Sequence, residues 1–184
     1  MKSKKESILE LFFNEPTKPW HFDEICKTIN LNRKQVLYWL NLFKKQHLIH
    51  RIKPRKKMPY YLANYQHPNY QTRKRFFALQ SLQDSGLFTY LQQIEDTQTI
   101  ILFGSMTRSD WHSESDIDLF IYPQAKNINI GKYEISLGRD IQIFSYPNRE
   151  SLQQLPSGLL KNIIKGNLLK GNLDFIEVKI HGTV

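Results

Sequence analysis

Two aspartates flank a single isoleucine within the stretch Ile100–Tyr122, IILFGSMTRSDWHSESDIDLFIY. An apolar run, Ile100-Ile101-Leu102-Phe103, reads as a strand and ends in a Gly104-Ser105 turn. Ten residues follow, and Asp116-Ile117-Asp118 opens a second strand that continues Leu119-Phe120-Ile121. Side chains alternate along a strand, so Asp116 and Asp118 project from one side with Cα atoms about 6–7 Å apart. Carboxylates with that reach can share a pair of metal ions roughly 3.5–4 Å apart, the spacing used in phosphoryl and nucleotidyl transfer. Without a cation the two charges would repel and resist burial. Gly104 lets the backbone approach a phosphate with no Cβ in the way. The amide and hydroxyl of Ser105, at the start of the following helix, can hold a phosphate, because a helix N-terminus favours anions. Arg108, further along that helix, either reaches a phosphate or makes a structural ion pair.

The elements that must position these groups are legible on both sides. The spacer Trp111-His112-Ser113-Glu114 reads as a loop, with Ser115 capping or orienting the strand entry. A helix ending near Leu137-Gly138 leads to a third strand, Asp140-Ile141-Gln142-Ile143-Phe144. Asn148 to Leu155 reads as helical. Ser157 can cap a helix through Lys165, with Leu159, Leu160, Ile163 and Ile164 as its apolar set and Gly166 as its stop. Asn167 to Gly171 and Leu173 to Ile180 read as strand-like pieces.

Gly104-Ser105, Arg108 and Ser115-Asp116-Ile117-Asp118-Leu119 together resemble the signature of the DNA-polymerase-β-like nucleotidyltransferase superfamily, in particular its small minimal nucleotidyltransferase branch. That pattern is a strand, Gly-Ser, two residues, Arg-Gly, a short spacer and Ser-Asp-Ile-Asp-Leu. The resemblance implies a mixed sheet flanked by helices, an NTP as substrate, and Mg²⁺ or Mn²⁺ on Asp116 and Asp118. It also implies a third carboxylate on a neighbouring strand, to help with metal and activate an acceptor hydroxyl. The hydrophobic alignment puts Gln142 at that position, and a glutamine cannot act as a base. Asp140, two residues earlier on the same strand face, either substitutes with a shift as a catalytic residue or is a solvated acid at the strand start. The family's Arg-Gly is Arg108-Ser109 here.

Composition adds a second theme. The chain has 184 residues and a formal net charge of +9. Residues 1–66 hold 14 Lys/Arg against 5 Asp/Glu, whereas residues 67–184 hold 12 of each. No acid occurs between Glu24 and Asp84, an interval with 13 Lys/Arg. Solvated surfaces usually mix signs, so a one-sided block points to a polyanion partner. The apolar runs are too short for a membrane span, the N-terminus lacks the apolar region of a secretory signal, and the single Cys26 has no internal partner. A cytoplasmic protein without membrane association is expected.

Within the basic block, Lys5 to Asn14 has the apolar spacing of a short helix, broken by Pro16 and Pro19. Trp20-His21-Phe22 is extended. Asp23 can cap a helix from Glu24 to Ile29 with Ile25 and Cys26 inward, and Asn32 can cap a third helix from Arg33 to Gln46. The inward face of the third is Val36, Trp39 or Leu40, and Phe43. A strand over Leu48–Ile52, a basic loop Lys53-Pro54-Arg55-Lys56-Lys57-Met58-Pro59 and a returning strand Tyr60-Tyr61-Leu62 complete the set. This layout, and the phrase LNRKQVLYWLNLFKKQHLIHR, resemble a winged helix-turn-helix. The resemblance implies that Arg33, Lys34, Gln35 and Tyr38 face DNA bases, while Arg51, Lys53, Arg55, Lys56 and Lys57 meet phosphates or the minor groove. The bland alternative is an interaction or dimerisation module with solvated lysines. His21, His47 and His50 have no metal-ligand spacing.

The expected fold class is α+β: a winged helix-turn-helix over 1–66, a helical connector over 67–97 and a nucleotidyltransferase domain over 98–184. In the connector, a helix over Tyr70–Gln83 carries Phe76, Phe77, Leu79 and Leu82. Its Arg73-Lys74-Arg75 triplet either extends the basic surface or is a solvated helix start. A second helix covers Leu87–Gln93. Two functions fit. One is a Mg²⁺-dependent transfer of a nucleoside monophosphate to a hydroxyl acceptor, with DNA bound by the winged helix. The minimal branch often works beside a helical HEPN-type partner in toxin–antitoxin pairs, so a protein is one implied acceptor; no such helical domain is present here. The alternative is a DNA-binding transcriptional regulator whose second domain senses a nucleotide or is catalytically degenerate. An interaction scaffold is the third reading, and a homodimer is compatible with all of them.

Overall fold

The computed structural model describes residues 3–174. Contacts divide them into two compact units: residues 3–77 with Arg108–Ser115, and Ala78–Thr107 with residues 116–174.

The first unit begins with α1 (Lys4–Asn14). Ser3 caps it: the hydroxyl accepts from the Glu6 amide at 3.2 Å, and the Glu6 carboxylate accepts from the Ser3 amide at 3.0 Å. These two bonds satisfy donors that a helix start leaves open. Ile8, Leu9, Phe12 and Phe13 form its fully buried stripe. Pro16 lacks the amide that would answer the Phe12 carbonyl from one turn on. The Tyr70 hydroxyl donates to that carbonyl instead, at 2.8 Å. Strand β1 (Trp20–His21) runs directly into α2 (Phe22–Ile29), which ends at Asn30 with φ 51°. His21, not Asp23, occupies the cap position of α2, and it makes no side-chain cap bond. The cause is the pairing of Trp20 with Tyr61 and His21 with Tyr60, which ends the extended segment there and starts the helix at Phe22.

Helix α3 (Arg33–Lys45) is capped by Asn32, whose side chain accepts from the Gln35 amide at 2.9 Å. Val36, Leu40 and Phe43 are buried, so Leu40 rather than Trp39 faces the core. Strands β2 (Ile49–Ile52) and β3 (Tyr60–Ala63) pair antiparallel, with Ile49 opposite Ala63 and Ile52 opposite Tyr60. The sheet order is β1-β3-β2.

Helix α4 (Pro68–Asp84) contributes to both units. Phe76, expected on its apolar face, is 62% exposed, whereas Lys74 is 1% exposed. The Lys74 ammonium lies 4.4 Å from the Trp111 ring centroid and donates to the Trp111 carbonyl. Trp111 is buried against Phe13 and Phe77, with ring centroids 6.1 and 6.2 Å away. Ser113 is tied to the same unit, its amide to the Asn14 carbonyl at 3.0 Å and its hydroxyl to Glu15 at 2.9 Å. These contacts explain why Arg108–Ser115 belongs with residues far away in sequence. They also overturn the reading of Lys74 as a surface charge.

The second unit contains α5 (Leu87–Gln92), β4 (Thr99–Phe103), the one-turn α6 (Ser105–Arg108) as far as Thr107, β5 (Ile117–Tyr122) and α7 (Gly131–Leu137). It continues through β6 (Ile141–Ser145), α8 (Arg149–Gln153), α9 (Ser157–Ile164) and β7 (Asn167–Lys170). The sheet order is β6-β5-β4-β7; β5 and β6 are parallel and the other pairs antiparallel. Parallel neighbours need a crossover, and α7 lies in it. Every residue of β4 is buried, as expected of a central strand covered on both faces. On one face Ile101, Phe103, Phe120, Tyr122 and Ile163 form a core with Phe144, Leu152, Leu155 and Leu159 packed against it. Pro156, not Ser157, holds the cap position of α9. A Cβ at Gly166 would lie 2.5 Å from the Leu102 carbonyl, so this glycine is required by close approach to β4. The strand-like reading of 173–180 lies outside the described residues from 175 onward. No helix among the described residues is long and apolar enough to cross a membrane.

Candidate active site

Strand β4 delivers the chain to Gly104, which turns it at φ +76°. Thr107 closes this turn, its hydroxyl and amide both donating to the Gly104 carbonyl at 2.8 and 3.3 Å. Met106 is buried and holds α6 to the core. Asp118 pairs in register with Phe103 and sits over the turn: a Cβ on Gly104 would lie 1.9 Å from Asp118 Oδ2. The glycine is therefore needed twice, for its left-handed backbone and for the space its missing side chain leaves to a carboxylate. Ser105 follows as the first residue of α6, half-buried.

Asp118 continues the row of Phe120 and Tyr122 on the sheet face that forms the core, and the row ends in acid where β5 begins. Asp116 lies immediately before that strand, and both aspartates are half-buried. Gln142 stands opposite Asp118 in the parallel register and donates from Nε2 to Asp116 Oδ2 at 2.7 Å. Gln142, the position at which the resemblance implies an acid, thus lies beside the acid pair. Asp140 is exposed and precedes β6; its backbone carbonyl accepts from the Ile117 amide at 2.9 Å.

Arg108 is exposed, and its guanidinium lies 3.2 Å from the Asp110 carboxylate. Of the two sequence alternatives, the structure displays the ion pair. A pair this exposed contributes little and leaves the guanidinium able to exchange partners. Ser109, where the family pattern has glycine, adopts φ 68°. Ser115 closes the loop, its hydroxyl accepting from the His112 amide at 2.9 Å. Thr107, Trp111 and Lys74 escaped sequence reasoning. Thr107 carries a readable signal, a hydroxyl three residues after the turn glycine; the other two depend on distant packing.

Among the described residues no three His, Cys, Asp or Glu side chains gather as a metal cluster. Two carboxylates and an amide do gather. The glutamine amide presents either N–H or carbonyl oxygen after a half turn. An oxygen-only set with few carboxylates suits Mg²⁺ or Mn²⁺ held jointly with substrate phosphates.

In the first unit, Arg33, Lys34, Gln35 and Tyr38 are exposed at the start of α3, and Arg51, Lys53, Arg55, Lys56 and Lys57 are exposed on β2 and the loop after it. Arg33 is already engaged, in an ion pair with Asp23 and with its guanidinium 4.8 Å from the Phe22 ring.

Residues 87–174 match the family model described as Polymerase beta, Nucleotidyltransferase. The matched segment contains the Gly104 turn, Asp116, Asp118 and Gln142. It supports the nucleotidyltransferase superfamily for this part of the chain, hence nucleoside monophosphate transfer in general with an NTP as substrate. No curated protein and no solved structure matches the chain.

Proposed function

We propose that this chain is a Mg²⁺-dependent nucleotidyltransferase that moves a nucleoside monophosphate from an NTP to a hydroxyl acceptor. The observation that carries the reading is the Asp118 carboxylate seated over Gly104, with Asp116 two residues away, inside the segment that matches the family. Gly104 and Ser105 would receive the phosphates, and Arg108 would leave Asp110 to join them. Asp116 and Asp118 would hold the ion. When bound, Mg²⁺ neutralises the triphosphate and polarises the α-phosphorus. The acceptor oxygen bonds to that phosphorus, its bond to the bridging oxygen breaks, pyrophosphate leaves, and the hydroxyl proton passes to Asp140 or solvent. A protein hydroxyl is one acceptor in scope. The test is incubation with labelled NTPs, Mg²⁺ and cell extract. We expect an acceptor to be labelled by the wild type and not by Asp116→Ala. No labelling, or labelling indifferent to that substitution, overturns the reading.

The first unit adds a DNA-binding winged helix in this proposal. Its support is the element order α1-β1-α2-α3-β2-β3, the antiparallel sheet and the basic loop between β2 and β3. It predicts duplex binding that weakens steeply with salt as counterions return. Duplex binding indifferent to neutralising Lys34, Arg55 and Lys56 would count against it.

Gln142 favours a second reading, in which the nucleotide is bound without being transferred and the chain acts as a regulator on DNA. Its amide occupies the place of an acid and is bonded to Asp116. NTP binding with Mg²⁺ in the absence of any labelled product distinguishes this reading from the first.

A further inference from the structure

A cavity of about 990 Å³ opens on the first unit between the starts of α2 and α3 and the β2–β3 hairpin. Its walls are apolar: Phe22 from α2, Leu37 from α3, and Met58, Pro59, Tyr60 and Tyr61 from the hairpin. Leu37 is 46% and Met58 70% exposed, so two large apolar side chains border open space rather than a packed neighbour. The volume is near the top of the range for small-molecule sites, roughly 300–1,000 Å³, which are mostly apolar with a few convergent polar groups.

Those polar groups are cationic. Arg33, Lys34, Arg51 and Lys57 line the same cavity, and the single acid among its lining residues is Asp23. Asp23 is taken by Arg33. None of the described ion pairs engages Lys34, Arg51 or Lys57. Among the described residues, three cations therefore remain without an ion-pair partner around an apolar bed.

We propose that this cavity binds a small amphipathic organic anion: an aliphatic or aromatic body carrying one anionic headgroup. The apolar body is what the walls favour, since each Å² taken from water contributes about 25 cal/mol. The headgroup is what the rim favours. A phosphodiester backbone alone would leave Leu37 and Met58 wet, and a neutral apolar molecule would leave the cations unanswered. The proposal uses no residue of the Gly104–Asp118 site and does not depend on nucleotidyl transfer. Because Lys34, Arg51 and Lys57 are also candidates for duplex DNA, the anion and the duplex would compete.

The test titrates the full chain with 8-anilinonaphthalene-1-sulfonate, following its fluorescence, and then displaces it with decanoate or decanol. The expected result is one saturable site, displacement by decanoate and little displacement by decanol. Lys34→Glu, Arg51→Glu and Lys57→Glu combined should weaken the probe at least about tenfold, the equivalent of one lost charge-assisted contact. These side chains are exposed, and circular dichroism checks that the variant is folded. Leu37→Asp should weaken both probes as a second, independent change. Equal displacement by decanol, an unchanged affinity in the triple variant, or no saturable site overturns the proposal. So does duplex binding with neither probe bound, which would make the cavity part of a nucleic-acid face only.

Discussion

The amide of Gln142 donates to the carboxylate of Asp116 at 2.7 Å, at the place where the family resemblance calls for an acid. The site is thereby neutral where it would otherwise gather a third negative charge. One hydrogen bond does part of what a cation would do, because it restrains Asp116 without metal.

Gln142→Glu should exchange that restraint for repulsion. Losing the donated N–H and adding a like charge is expected to cost about 1–3 kcal/mol without metal. Mg²⁺ should restore the loss, and transfer should rise at least about tenfold if the new carboxylate accepts the acceptor proton. Thermal melts with and without Mg²⁺, beside a transfer assay, read both effects. A melting temperature indifferent to the substitution and to Mg²⁺ would mean that residue 142 does not face the metal site proposed on Asp116 and Asp118.

Gly104→Ala should damage site and fold together. The new methyl would collide with Asp118 Oδ2, and the φ of +76° is strained for alanine by about 1–2 kcal/mol. We expect a loss of at least that size in urea unfolding and no measurable nucleotide binding. Retained nucleotide affinity would show that Asp118 can leave Gly104 without consequence.

Ser109→Gly should act in the opposite direction. Ser109 holds φ 68° with a side chain, where the family pattern has glycine. Relief of left-handed strain outweighs the extra freedom of an unfolded glycine, and a gain of roughly 0.5–1 kcal/mol is expected. A denaturation midpoint equal to or below that of the wild type contradicts this account.

Tyr70 gives the first unit an alkaline limit. Burial pushes its hydroxyl pKa well above the ordinary value of 10.0. The native state therefore keeps a proton that the unfolded state releases above that pH. The contribution is complete below pH 10 and is lost as pH rises through the alkaline range. Tyr70→Phe should flatten this dependence. Because it also strands the Phe12 carbonyl, it should lower stability at pH 7 by about 1–3 kcal/mol. Parallel slopes above pH 10 for both proteins would refute the assignment.

The legible parts of this chain are those that local chemistry writes. The strand-turn-strand around Gly104 announced itself through composition and alternation, and Asn32 capped its helix as its type suggests. Gln142 was placed by aligning the hydrophobics of its strand to the third position that the family resemblance implies. What escaped was written by partners far away. Asp23 has the chemistry of a cap, but the pairing of Trp20 and His21 with β3 moved the helix start ahead of it. Lys74 sits in a basic triplet that reads as surface, and only the fold puts an indole and a carbonyl over it. Trp39 and Leu40 were equivalent by periodicity. The choice between them depends on which neighbours pack on α3, and no local rule contains that.

The stretch from Arg108 to Ser115 is flanked by the Gly104 turn on one side and by β5 on the other, yet it is anchored on Phe13, Lys74 and Phe77. A fragment beginning at Ala78 would keep the whole signature and expose Trp111. A fragment ending at Phe77 would keep a socket with nothing in it. The unit of inheritance in the sequence and the unit of folding in space are cut along different lines, so no single scissor site separates this chain into self-sufficient halves.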